Sequence, residues 1–115
     1  MTDLDIESIE IYRSVSKAEL DDLRGFGQFR VCPSGCSMES KWFALRFEDA
    51  IAWGRLFYGS QGINLFYVVT ATILSQLANQ MFYQDKLDNI GKAICIDEDF
   101  LDQVKLIKVT QVRRK

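Results

Sequence analysis

The amino-acid sequence predicts one compact α+β domain spanning residues 1–115, with a mixed or antiparallel sheet and two main helices. The chain has 115 residues, of which 48% are apolar and 26% charged, as is typical of a single globular domain. Strand-like and helical patterns alternate in the first half of the chain. The second half has several strand-like segments without long helices between them, which favours a mixed or antiparallel sheet over a doubly wound parallel one.

The chain begins with a predicted strand and a short helix. Apolar and polar residues alternate over Ser8–Val15, which is the two-residue period of a strand. Ser16 and Glu19 have the spacing of a capping box, so Ser16 is the expected N-cap of a helix that ends near Gly25 or Gly27. The residues expected to face inward are Ala18, Leu20 and Leu23.

A loop, a short strand and the second main helix follow. Phe29–Glu39 contains proline, glycine and serine, which are typical of loops. Lys41–Leu45 is predicted to be a largely buried strand. The second helix is predicted over Glu48–Tyr58, because Glu48 and Asp49 suit the positive end of the helix dipole. The expected apolar face of this helix comprises Ala50, Ile51, Gly54, Phe57 and Tyr58.

The second half of the chain predicts mainly strands. A turn over residues 59–62 precedes a central strand at Asn64–Ile73, which is rich in β-branched and aromatic residues. Three further strands are predicted at Met81–Tyr83, Ala93–Ile96 and Lys105–Val112. Between the last two, Asp97–Val104 is predicted to form one or two helical turns.

Composition and charge exclude several classes of function. The net charge of −2 does not support long-range attraction to nucleic acid, and the basic residues of the last eleven positions are interpreted as a solvated strand edge and tail. The absence of histidine excludes the usual Ser–His and Cys–His hydrolases. Three cysteines and no histidine do not supply a zinc site, so no metal is expected and Cys32, Cys36 and Cys95 are predicted to be free thiols.

The start of the chain and the lengths of its apolar runs bear on location. The first ten residues are acidic, unlike a secretory signal peptide, and the apolar runs are too short to cross a bilayer. We therefore expect a soluble, cytoplasmic protein.

Three features carry candidate chemistry, each with a plainer alternative. Arg13 lies on the first strand and can bind phosphate or carboxylate, or it is an ordinary edge arginine. Trp42 and Trp53 can line one cleft and enclose a flat ring, or both belong to the core. The acidic cluster that begins with Asp97 and Glu98 can stabilise positive charge, or it merely suits a helix N-terminus.

Two motifs resemble the ADP-ribosyltransferase superfamily. Tyr12-Arg13 on a first strand before a capped helix resembles the opening of the arginine-type enzymes. Residues 37–44 and 47–54 resemble the second motif, a strand with an aromatic-Phe-Ala triplet followed by a helix with a second aromatic residue. Trp42 begins the triplet, and Trp53 follows it by eleven residues. Residues 86–93 also look like a loop and the start of the following strand in small bacterial toxin domains of this superfamily.

The resemblance implies a fold, a substrate and site residues. It implies an ADP-ribosyltransferase-like fold that takes NAD as substrate, with Trp42 and Trp53 holding nicotinamide and Arg13 contacting the NAD phosphate or ribose. The same motifs give Tyr12, Ser37 and Phe43 as further NAD-binding residues. The family glutamate belongs on a late strand, but Ala93–Ile96 contains none. Asp97 and Glu98, just after this strand, are left as its replacements, and the resemblance implies that they are catalytic together with Arg13.

The leading functional prediction is therefore a toxin-like, NAD-dependent ADP-ribosyltransferase. It would cleave the nicotinamide glycosidic bond and modify a macromolecular acceptor, either protein or nucleic acid, with a cognate antitoxin or immunity protein as a further partner. The first alternative is a catalytically inactive relative that keeps a binding function. The second alternative is an unrelated interaction domain of the immunity or antitoxin type, because the many aromatic residues can leave an exposed patch for a partner.

Overall fold

A six-stranded antiparallel sheet organises the domain. The computed structural model describes residues 7–29 and 40–113. The strands are β1 (Ser8–Val15), β2 (Ser40–Ala44), β3 (Leu65–Leu74), β4 (Phe82–Leu87), β5 (Gly91–Asp97) and β6 (Lys105–Arg113). Their order across the sheet is β4-β5-β2-β1-β3-β6, and every neighbouring pair is antiparallel. The α+β class is confirmed, with an antiparallel rather than a mixed sheet.

Three α-helices and one 3-10 helix complete the described fold. They are α1 (Lys17–Phe26), α2 (Phe47–Gly59), α3 (Ser75–Ala78) and the 3-10 helix Glu98–Gln103. The two main helices lie where the sequence predicts them, whereas the single turn of α3 was not predicted. None of the helices in the described ranges combines the length and apolar character needed to span a bilayer.

The predicted start and end of α1 are largely confirmed. The Ser16 hydroxyl accepts a hydrogen bond from the Glu19 N–H at 3.2 Å, and Gly27 ends the helix in the left-handed conformation at φ 92°. Leu20 and Leu23 are buried. The prediction that Ala18 faces inward is wrong, because Ala18 is exposed on the outer face of α1.

Alternation along the central strands places a separate apolar cluster on each face of the sheet. Ile11 and Val15 are fully buried on the face covered by α1, α3 and the 3-10 helix. Val68 and Phe66 belong to the second cluster, which α2 covers. A Cβ on Gly54 would overlap the Phe66 ring, so glycine is what allows α2 to approach β3 closely.

One predicted core residue of α2 lies outside the core. Ala50, Gly54 and Tyr58 are buried as expected, and Ile51 is half-buried. Phe57, however, is 60% exposed, so its assignment to the buried face is wrong. The sequence shows the apolar periodicity of the helix but not how far the sheet extends beneath it.

Candidate functional site

A cleft opens beside β1 and β2, which pair at Tyr12 opposite Ala44. Its volume is about 820 Å³, within the range of small-ligand sites. Its walls come from β1, β2, α1, α2, the turn after α2 and the turn between β4 and β5. Among its lining residues are four of the sequence-predicted site residues, namely Tyr12, Arg13, Trp42 and Trp53.

The two tryptophans reach the cleft from different elements, and each is held by a contact of its own. The Trp42 ring, on β2, meets the Phe82 ring edge-on, with centroids 6.0 Å apart. On α2, Trp53 donates a hydrogen bond from its indole Nε1 to the Leu87 carbonyl oxygen at 3.3 Å. Both indoles are half-buried, so each keeps part of its surface for a ligand. The expectation that they share one cleft with Arg13 is confirmed.

Arg13 belongs to a cluster of three charged side chains. Its guanidinium donates from Nε to Glu19 Oε2 at 2.7 Å, from Nη2 to Glu19 Oε1 at 3.4 Å, and from Nη1 to the Trp42 carbonyl at 2.9 Å. Lys41 Nζ donates to Glu19 Oε2 at 3.1 Å. The Lys41 side chain is 6% exposed, and those of Arg13 and Glu19 are each 22% exposed. The three groups together carry one net positive charge.

The surroundings of the charge cluster shift the pKa values of Glu19 and Lys41. Burial alone would raise the pKa of the Glu19 carboxyl, but the Arg13 and Lys41 charges outweigh burial and hold that pKa below its usual value. Burial, and then the neighbouring Arg13 charge, lower the pKa of Lys41 despite the opposing effect of Glu19. The Glu19 carboxylate is therefore ionised at neutral pH and engaged by two cations.

Tyr12 is held beside the cleft by contacts of its ring and hydroxyl. Its ring meets Phe47 edge-on, with centroids 5.9 Å apart, and its hydroxyl donates to Glu10 Oε1 at 2.7 Å. That hydrogen bond, followed by burial and the Glu10 charge, raises the pKa of Tyr12 to about 12. Tyr12 is therefore neutral at physiological pH and serves as a wall rather than as a base.

Phe43 does not reach the cleft. It is 1% exposed in the core on the other face of the sheet, where its ring meets Phe29 edge-on at 5.1 Å between centroids. Successive residues of a strand point to opposite faces, which takes the Phe43 ring away from the face that carries Trp42. The structure therefore corrects the assignment of Phe43 from the ligand site to the core.

The predicted carboxylates also lie apart from the cleft. Asp97 ends β5 opposite Ser40, and Glu98 begins the 3-10 helix. Both are exposed, and neither belongs to the cleft lining. Ser37, Cys32 and Cys36 lie outside the described residues.

Two other carboxylates line the cleft, and sequence reasoning did not assign either of them to a site. Glu19 was interpreted only as a capping residue, although it lies six residues after Arg13. Asp88 lies in the turn between β4 and β5, where Asp88 and Asn89 have φ values of 55° and 61°. Asp-Asn at a hairpin tip is the signal that could have located this turn.

Chemically, the cleft offers the two tryptophan rings and the Tyr12 ring, an arginine paired with Glu19, and the exposed Asp88 carboxylate. Among the described residues, no three metal-ligating side chains gather in one place.

No protein family, curated protein or solved structure matches this chain.

Proposed function

We propose that the cleft binds NAD and that the domain is a toxin-like ADP-ribosyltransferase, with a macromolecule as the acceptor. The observation that carries the proposal is that Arg13, Trp42 and Trp53 line one cleft. These are the three residues to which the resemblance assigns the principal NAD contacts. They come from β1, β2 and α2, so their convergence does not follow from adjacency in the chain.

The two indoles of the cleft suit the nicotinamide ring. Trp42 and Trp53 are half-buried and held by contacts with Phe82 and Leu87, so little side-chain freedom remains to be lost when a ring stacks on them. A flat aromatic ring gains about 1–3 kcal/mol from stacking on such a platform, judging from nucleic-acid bases. The indoles therefore supply affinity and orientation.

The Arg13 guanidinium suits the pyrophosphate. An arginine side chain has five N–H groups, of which Arg13 uses three in its bonds to Glu19 and the Trp42 carbonyl. Two N–H groups remain for a phosphate oxygen. Glu19 fixes the plane of the guanidinium, and Lys41 gives the cluster its net positive charge, which favours an anion.

Asp88 is the carboxylate best placed to act on the glycosidic bond. It lines the cleft beside the start of β5, makes no hydrogen bond or ion pair with the described residues, and is exposed. Glu19, in contrast, is already engaged by two cations. As the nicotinamide bond breaks, its electron pair leaves with nicotinamide and positive charge develops on the ribose, where a carboxylate lowers the barrier.

A second candidate is an inactive relative that binds NAD without turnover. It is favoured by β5, Gly91–Asp97, which contains no glutamate and whose single acidic residue, Asp97, lies outside the cleft lining. Loss of a carboxylate that acts on the transition state leaves ring stacking in place. Binding and turnover therefore have to be measured separately.

The test pairs calorimetric NAD titration with an assay of nicotinamide release. Trp53→Ala should weaken NAD binding by about 5-fold to 150-fold, the equivalent of about 1–3 kcal/mol. Trp53→Phe keeps a ring but loses the bond to Leu87, so it separates stacking from support of the turn. Ile107→Ala, on the exposed surface of β6, is the control and should bind as the parent does.

The carboxylate variants decide between the active and inactive alternatives. Asp88→Asn should bind NAD nearly as the parent does and release nicotinamide at least tenfold more slowly, the effect of about 1.4 kcal/mol of lost transition-state stabilisation. Asp97→Asn and Glu98→Gln test the two carboxylates predicted from sequence and should have the parent rate. NAD binding without nicotinamide release in the parent favours the inactive relative, whereas absence of NAD binding refutes both proposals.

A further inference from the structure

Three exposed apolar side chains contribute to the cleft from the end of α2 and the segment that follows it. Leu56 and Phe57, near the end of α2, are 57% and 60% exposed, and Ile63, beyond the following turn, is 37% exposed. All three line the cleft. We call these three residues the apolar lip. A concentration of exposed apolar residues beside a cleft is typical of a surface that contacts another molecule.

The apolar lip is anchored to the core through Tyr58. The Phe57 ring meets the Tyr58 ring edge-on at 5.1 Å between centroids, and Tyr58, 7% exposed, in turn stacks on Phe66 at 5.6 Å. The Ile63 N–H donates to the Tyr58 carbonyl at 2.9 Å. Because Phe57 is held by a buried neighbour, a partner that contacts it has less conformational freedom to restrict, as is common for interface anchors.

The charges around the cleft favour a protein as the occupant of the apolar lip. Nucleic acid binding needs several lysine or arginine contacts to phosphate. Of the described residues that line the cleft, Arg13 is the only cation, and Glu19 already engages it. Asp88 adds an exposed carboxylate to the lining of the same cleft. Two unused N–H groups on one arginine can serve a single pyrophosphate but not the row of phosphates of a nucleic acid. An apolar side chain near a lysine or arginine, in contrast, complements the apolar lip and Asp88.

We propose that the apolar lip docks a protein segment in which a large apolar side chain lies close to a basic residue. The apolar side chain packs against Leu56, Phe57 and Ile63, and the basic residue pairs with Asp88. This docking does not require NAD, because the apolar lip includes neither indole nor Arg13.

The experiment selects a displayed library of random linear peptides against the parent protein in the absence of NAD. Enriched peptides should combine a large apolar residue with a nearby lysine or arginine. The double variant Leu56→Ser with Phe57→Ser should bind them at least tenfold more weakly, as expected when anchor residues are truncated. The matched control is Leu106→Ser with Ile107→Ser on β6, whose residues are 42% and 58% exposed, and it should bind as the parent does.

A second variant keeps the test independent of any effect of the serines on folding. Asp88→Asn removes only a charge from an exposed side chain, and it should weaken the selected peptides while shifting their preference away from basic residues. The proposal is overturned if no sequence motif is enriched or if the peptides bind the lip variant as tightly as the parent. It is also overturned if a single-stranded DNA oligonucleotide competes for the apolar lip, or if this surface instead mediates dimerisation that the serine variant abolishes. Failure of NAD binding leaves the docking result unchanged, so the two proposals fail separately.

Discussion

Removal of the Glu19 charge should destabilise the fold through the partly buried cluster around Arg13. In Glu19→Gln the hydrogen bonds from Arg13 and Lys41 lose their anionic acceptor, and two cations are left beside one another. The Lys41 side chain is only 6% exposed, so water replaces little of the lost interaction. Removing one partner of a buried ion pair costs about 3–5 kcal/mol. We expect about 3 kcal/mol here, because Arg13 and Glu19 are each 22% exposed.

The predicted loss of stability can be measured by urea unfolding of Glu19→Gln beside a control variant from the same helix. Asp21 pairs with Lys17 at 2.9 Å, but both side chains are more than half exposed. Asp21→Asn should therefore cost no more than about 0.5 kcal/mol. If Glu19→Gln and Asp21→Asn lower the free energy of unfolding equally, the cluster does not stabilise the domain and the reasoning is refuted.

The pH dependence of stability independently tests the contribution of the Glu19 charge. The pKa of Glu19 is lowered in the folded protein, so its contribution is complete above the usual glutamate pKa. That contribution is lost as the pH falls through the lower, folded value. The free energy of unfolding of Glu19→Gln should accordingly fall less steeply over this acidic range than that of the parent. Equal acid slopes for the two proteins would contradict the assigned pKa shift.

Two further predictions concern the helices that support the cleft. Gly54→Ala should destabilise by about 1–3 kcal/mol, because its Cβ would overlap the Phe66 ring. Gly25→Ala, where nothing lies within 4 Å of the added Cβ, should instead stabilise the domain by up to about 1 kcal/mol. If thermal unfolding shows that both substitutions change the stability in the same direction, the packing described at Gly54 is contradicted. Ser16→Ala should cost about 1 kcal/mol by loss of its bond to the Glu19 N–H, and an unchanged denaturation midpoint would exclude a capping role.

The strands were the most predictable part of the fold, because their signals are local. Alternation in Ser8–Val15 and the β-branched run of Asn64–Ile73 predict β1 and β3 almost to the residue. The pairing order of the strands was not predicted, since it depends on contacts between residues far apart in the chain. The antiparallel sheet was expected only as one of two alternatives.

Some residues of the candidate site could likewise be predicted from local sequence signals, whereas others depend on distant contacts. The eleven-residue spacing of Trp42 and Trp53 places a strand and the following helix beside one cleft, and the structure confirms that arrangement. Phe43 was misassigned because the motif was carried over whole, without the alternation that sends its ring to the opposite face. Asp88 was missed because its position depends on a hairpin turn whose strands are distant from Trp42 in the chain.

The exposure of Phe57 has a similar origin. The helical period groups it with Ala50 and Tyr58, and the period alone cannot show where the sheet beneath α2 ends. What looked like core in the sequence is therefore a surface beside the cleft.

The most direct test of the central claim is an experimental structure of the domain with NAD. We predict that the nicotinamide ring contacts the indoles of Trp42 and Trp53, that a pyrophosphate oxygen lies within hydrogen-bond distance of Arg13, and that the nicotinamide ribose lies beside Asp88. NAD bound elsewhere on the domain, or no bound NAD at a concentration that saturates known NAD sites, would contradict the account.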